Sequence, residues 1–175
     1  MVWHRLLWAP LVMPKHVIIA WMAIQNKLPT MDRLKKWGIE MDDTCVLCQQ
    51  EVETREHLFF ECSFAVEIWK EMLRQCGLGR ESLGWEGELK WAATKLKGKA
   101  MISTLLRVGW NAFVYHIWRE RNCRIFQHQT ESSMKILEDI REVIQYRLVK
   151  LSKVKADEVN IALYRAWGLS DTIFD

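Results

Sequence analysis

Little in this sequence alternates. No polar–apolar alternation of any length is present, which argues against a β-rich fold and leaves helical periodicity as the one strong pattern. No apolar run approaches the ~20 residues that a bilayer span requires, so no membrane role is expected. No charge sign dominates: 25 lysines and arginines face 22 aspartates and glutamates, for a net charge of +3. The five cysteines are an odd number, a poor start for a secreted disulfide framework. The first residues, Met1-Val-Trp-His-Arg5, lack the layout of a secretory leader. These absences lead us to expect a soluble chain kept in a reducing intracellular compartment. The length of 175 residues allows one or two small domains.

What is present centres on Cys45-Val-Leu-Cys48, His57 and Cys62. The spacing C-x2-C-x8-H-x4-C places three thiols and one imidazole within eighteen residues. Soft and borderline ligands at that density suit a closed tetrahedral Zn²⁺ site, with no position left for a reactive water. Asp42-Asp43-Thr44 reads as a turn leading into the first pair. The spacing of the second pair is close to i,i+4, so one short helical turn is expected to aim both at the metal. The alternative is four ordinary buried side chains. Charge is uneven around this stretch: residues 41–81 hold four basic and nine acidic residues, while the flanks are net basic. An acidic knuckle does not by itself grip a phosphate backbone.

The rest reads as helices. Pro14 suits a first helical position, and Val17, Ile18, Trp21 and Met22 recur at helical spacing over 14–27, as a face turned to the core. Pro29 ends that helix. Thr30 is expected to cap a short one over 31–37, with Gly38 beyond its end and Leu34 and Trp37 inward. Ser63 is expected to cap the next, whose stripe Phe64, Ile68, Trp69, Met72, Leu73 and Cys76 makes Cys76 a core thiol. Residues 77–100, rich in glycine and mixed charge, are expected to link 1–76 to a C-terminal region at 101–175, with a short helix near 88–97. A long helix over 100–126 carries a broad apolar face from Ile102 to Trp118, wide enough for a partner helix or a second copy of the chain. Another follows at 132–150, and Gly168 ends shorter pieces near 162–167. The fold class is all-α: short helices around a Cys₃His knuckle, then a C-terminal helical pair.

These residues resemble the zinc-binding domain of plant LINE-type (non-LTR) retrotransposon reverse transcriptases. The resemblance runs from Trp3 to about Trp69, through IIAWMAIQNKLPTMDRLKKWGI (Ile18 to Ile39) and CVLCQQEVETREHLFFEC (Cys45 to Cys62). Leu28-Pro29-Thr30, Arg33-Leu34, Gly38 and Glu53 also fall where that family's pattern places them. The later VYHIWRERNCRIF (Val114 to Phe126) is similar to the segment that follows in such elements. The resemblance implies one structural Zn²⁺ on Cys45, Cys48, His57 and Cys62, and a part in handling RNA or single-stranded DNA. Nuclear residence would follow from that link alone, since no basic localisation run is present.

The sequence also departs from such elements. It has no Tyr-x-Asp-Asp polymerase signature and no spaced acidic constellation of an RNase H type. It is expected to be a stand-alone remnant without catalysis. Cys123 near His116 or His128 is the one loose nucleophile–base candidate. Nucleic-acid contacts are expected at Lys27, Arg33, Lys35, Lys36 and Trp37 beside the knuckle, and at Arg119, Arg121 and Arg124, where bases stack on aromatics and phosphates meet cations. The alternatives are a zinc-stabilised structural or protein-interaction module, or a decayed fragment without activity.

Overall fold

The computed structural model describes residues 3–174. Among them are nine α-helices and no strand, with a single antiparallel bridge between Thr44 and Val52. In order they are α1 His4–Leu7, α2 Pro14–Ile24, α3 Met31–Lys36, α4 Arg55–Phe60, α5 Ser63–Gln75, α6 Gly84–Lys95, α7 Met101–Asn122, α8 Ser133–Leu148 and α9 Glu158–Trp167. The expected all-α class holds.

Local chemistry sets most of the boundaries. Pro14 occupies the start of α2. Ser132 and Asp157 cap α8 and α9 by accepting from the N–H groups of Lys135 and Asn160. Gly38 at φ +86° closes α3, its N–H reaching Lys35 O at 3.0 Å. That left-handed geometry is cheap for glycine alone. Two caps differ from expectation. The Thr30 hydroxyl donates to Asp32 Oδ1 instead of capping α3. Cys62, not Ser63, stands at the cap position of α5.

The core is one continuous cluster of buried residues drawn from both ends of the chain. Its centre is aromatic. Phe60 on α4 lies 5.5 Å from Trp69, 5.7 Å from Trp85 and 5.4 Å from Phe113, ring centre to ring centre. Such rings bury large areas and gain about 0.5–1.5 kcal/mol per well-placed pair beyond that. Trp85 belongs to α6, so residues expected to connect two halves pack into the common core. The helix expected at 88–97 starts earlier, at Gly84. Glu88, fully buried on it, is held by Arg80 at 2.6 Å.

The long α7 runs through the middle. Its apolar face, expected to take a partner or a second copy, is covered by the chain's own α2 and α8: Leu105, Trp110, Phe113 and Ile117 are all buried. At Gly109 the space is filled by the side-chain tips of Met72 from α5 and Ile144 from α8. α2 presents Val17, Ala20 and Ala23 to the core. Its two small alanines admit the neighbouring backbone, and the helix is thereby turned so that Ile18 and Trp21 face solvent, against the expected core face.

Candidate metal centre

A tight hairpin builds the first half of the site. The Asp42 carboxylate accepts from the Thr44 N–H and hydroxyl at 2.9 and 2.6 Å. The Cys45 N–H donates to Glu51 O at 2.7 Å and the Gln49 N–H to Cys45 O at 2.8 Å, with Gln49 left-handed at φ +56°. This folds Cys45 and Cys48 into one knuckle, as the turn signal suggested. The second half is α4 and the start of α5. Thr54 caps α4 by accepting from the His57 N–H at 3.1 Å, and Leu58, Phe59 and Phe60 anchor the helix in the core. His57 and Cys62 do not share one helical turn, as the spacing had suggested. α4 ends at Phe60, and the Cys62 N–H returns to His57 O at 2.6 Å.

The four side chains converge. Their ligand atoms all lie within 4.8 Å of one another, and among the described residues they are the one group of histidine, cysteine and carboxylate side chains that does so. Cys45 Sγ is 3.9 Å from Cys62 Sγ, and Cys48 Sγ is 3.2 Å from His57 Nε2. A tetrahedron with Zn–S of about 2.3 Å and Zn–N of about 2.0 Å has edges of roughly 3.5–3.8 Å, so the donor set fits zinc in both size and type. Cys45 and Cys62 are fully buried, while the Cys48 and His57 side opens towards Glu51, Thr54 and Glu61.

The surroundings favour a thiolate at Cys62 and, without metal, a thiol at Cys45. The N–H groups of Leu47 and Cys48 point at Cys45, and those of Phe64 and Ala65 point at Cys62. Cys62 thus sits at the positive end of α5, where a negative sulfur is stabilised. Without metal, the contact with Cys62 and burial push the Cys45 thiol up, while the same contact brings Cys62 below the usual thiol range. Burial lowers His57, keeping its imidazole neutral and able to ligate. Zinc binding therefore displaces thiol protons. Zinc is expected to be released as pH falls below neutrality, which a metal-indicator titration from pH 7 to 4 would follow; retention throughout would contradict this thiolate picture. Cys76 lies apart, buried, with its thiol pushed up to about 12 by desolvation.

A second shell comes from the far end of α7. Glu53, fully buried, receives Arg121 Nε at 3.0 Å and Nη2 at 2.8 Å, and also accepts from the Met31 N–H at 3.0 Å. Arg121 Nη2 also reaches Pro29 O. Arg124 donates to Val46 O and Leu47 O inside the knuckle at 3.3 and 3.1 Å, pairs with Glu120 at 2.7 Å and lies over the Phe64 ring. Arg121 and Arg124, expected to meet nucleic acid, are thus turned inward and hold the knuckle against α7. Sequence reasoning missed this because the partners are 68 to 78 positions apart; Glu53, one of the residues that carry the resemblance, was the only local sign.

The remaining expected contact residues lie at the surface. Lys27 covers the Trp21 ring at 5.1 Å, and Arg33 covers Trp37 at 5.1 Å while donating to Asn26 O. Trp37 is 58 % exposed, contrary to its expected inward place, and Trp21 37 %. Lys35 and Lys36 make surface pairs with Asp43 and Asp32. Arg119 is exposed beside Asp139, away from these. Among the described residues neither ring nitrogen of His116 has a hydrogen-bond partner, so it does not engage the Cys123 thiol as a base.

Residues 1–69 match the family model described as zinc-binding in reverse transcriptase. With the Cys₃His cluster, the match marks α1 to the first half of α5 as a zinc-binding module similar to those of reverse transcriptases, carrying one Zn²⁺. No curated protein and no solved structure matches the chain.

Proposed function

We propose that this chain is a non-catalytic, zinc-stabilised module of retrotransposon reverse-transcriptase origin, of the LINE type its motifs resemble, that binds single-stranded RNA or DNA. The observation that carries the reading is the surface formed by Trp21, Lys27, Arg33 and Trp37. Two exposed tryptophans each have a cation over one face, and Arg33, over Trp37, also donates to Asn26 O just beyond the helix that carries Trp21. Exposed aromatics alternating with cations suit stacked bases and their phosphates. Lys35 and Lys36 add charge, since their surface pairs are weak and a phosphate can compete for them. Zinc takes no part in chemistry here. Its role is to fix the hairpin against α3 and α4, and so to hold the platform rigid.

Fluorescence anisotropy with short single-stranded RNA and DNA tests this. Affinity is expected to fall steeply with salt. The Trp37→Ala variant is expected to lose about 1–3 kcal/mol of binding, the usual worth of one base–aromatic stack. Because Trp37 is exposed, the variant should keep its fold and zinc. No binding at low salt, or binding indifferent to both salt and Trp37, would refute the reading.

A further inference from the structure

His16, in the first turn of α2, and His116, in α7, meet edge to face with ring centres 5.7 Å apart. They are 1 % and 7 % exposed. His16 Nε2 and both ring nitrogens of His116 find no hydrogen-bond partner among the described residues. Buried polar nitrogens left unpaired are rare, and each carries a desolvation penalty. Three on two adjacent rings call for an explanation.

Both rings line a cleft of about 470 Å³ between α2, α7 and α8. The charged groups acting on His16 are His116, then Lys15 and Arg147. Those acting on His116 are Lys15, Arg119 and Lys135, against the single carboxylate of Asp139. Asp139 is already held by Lys135 at 2.8 Å and Arg119 at 3.5 Å, and stands 3.9 Å from His116 Nδ1, too far for a hydrogen bond. Glu120 on the rim is taken by Arg124, and Glu131 and Glu142 complete the rim. Burial first, and then these cations, bring His16 to about 3 and His116 to about 4. Both rings are therefore neutral at pH 7, each with one N–H to donate. The first turn of α2 lines the same cleft with no acidic residue and no side-chain cap; the His16 and Val17 N–H groups return to Met13 O at 3.0 Å, so the Lys15 N–H is the backbone donor left to meet an anion there. A π-helical turn, Cys123–Gln127, forms part of the wall; such turns gather at functional sites. A metal suits the place less well, because these nitrogens and Asp139 do not converge as the zinc ligands do.

We propose that this cleft binds a tetrahedral oxyanion of the phosphate class, held by His16, His116 and Lys15 at the start of α2, with Arg119 and Lys135 beside it. The site is separate from the tryptophan platform and does not rest on it. The source of the anion is either free phosphate or a phosphate of a nucleic-acid strand.

The zinc-loaded full chain is titrated with inorganic phosphate while the imidazole resonances are followed by NMR. Saturable shifts of His16 and His116 at millimolar phosphate are expected, with His57 unmoved. In the Lys15→Gln variant, whose side chain is exposed and dispensable for folding, the affinity should fall about tenfold or more, the worth of a charge-assisted hydrogen bond. Unmoved His16 and His116 resonances would overturn the proposal, as would shifts that Lys15→Gln leaves unchanged. A second arm compares short strands bearing a 5′-phosphate with the same strands ending in a 5′-hydroxyl. A phosphate-dependent gain that vanishes in Lys15→Gln assigns the site to a strand end. Equal binding, with phosphate alone still shifting the histidines, assigns it to a free anion.

Discussion

The Cys48→Ser variant is expected to lose its zinc and, with it, most of the helical signal of the chain. Closing a Cys/His site supplies on the order of 10 kcal/mol, as much as the whole net stability of an ordinary domain. The effect should spread beyond the knuckle. His57 leads directly into Phe59 and Phe60, and Phe60 touches Trp69, Trp85 and Phe113. Slackening α4 therefore loosens the aromatic centre shared with α5, α6 and α7. Metal content by mass spectrometry and helicity by circular dichroism, on protein purified under reducing conditions, provide the check. Cys76→Ala and Cys123→Ser should each retain one zinc, since neither sulfur belongs to the converging group. A metal-free Cys48→Ser protein as helical and as heat-resistant as the parent would show that the helices hold the fold unaided.

Arg121→Met is expected to cost about 3–5 kcal/mol, the usual penalty for leaving one member of a buried ion pair unmatched. Glu53 would remain fully buried with only the Met31 N–H to answer its charge. Combining Arg121→Met with Glu53→Gln should recover much of that loss, because the uncompensated charge is gone and the amide oxygen can still accept from Met31. Urea unfolding at saturating zinc, followed by tryptophan fluorescence, measures all three variants. A loss below about 1 kcal/mol for Arg121→Met would mean that the pair is loosely held and does not lock α7 to the knuckle.

Much of this architecture is local and was therefore legible. Pro14, Pro29, Gly38 and Gly168 act on their immediate neighbours, so the helices beside them fall close to their expected places. The knuckle was legible for the same reason: four ligands within eighteen residues need only a turn and a helix start to meet. Facing was harder. Trp21 and Ile18 fit an apolar stripe, yet α2 turns Ala20 and Ala23 to α7, because close helix approach favours small side chains over large ones. Trp37 likewise follows helical spacing but ends exposed under Arg33.

By itself, the sequence determined the helical class, the places of the longer helices and the metal-binding set, because caps, periodicity and ligand spacing are short-range properties of the chain. Tertiary structure alone decided which cations are free. Arg119, Arg121 and Arg124 form one basic run in sequence, but the helical turn sends Arg121 to Glu53 and Arg124 to the knuckle carbonyls, and leaves Arg119 in solvent. It also brought His16 and His116 together across a hundred residues and left their nitrogens unpaired. Burial and pairing depend on what packs opposite, and no local pattern encodes that.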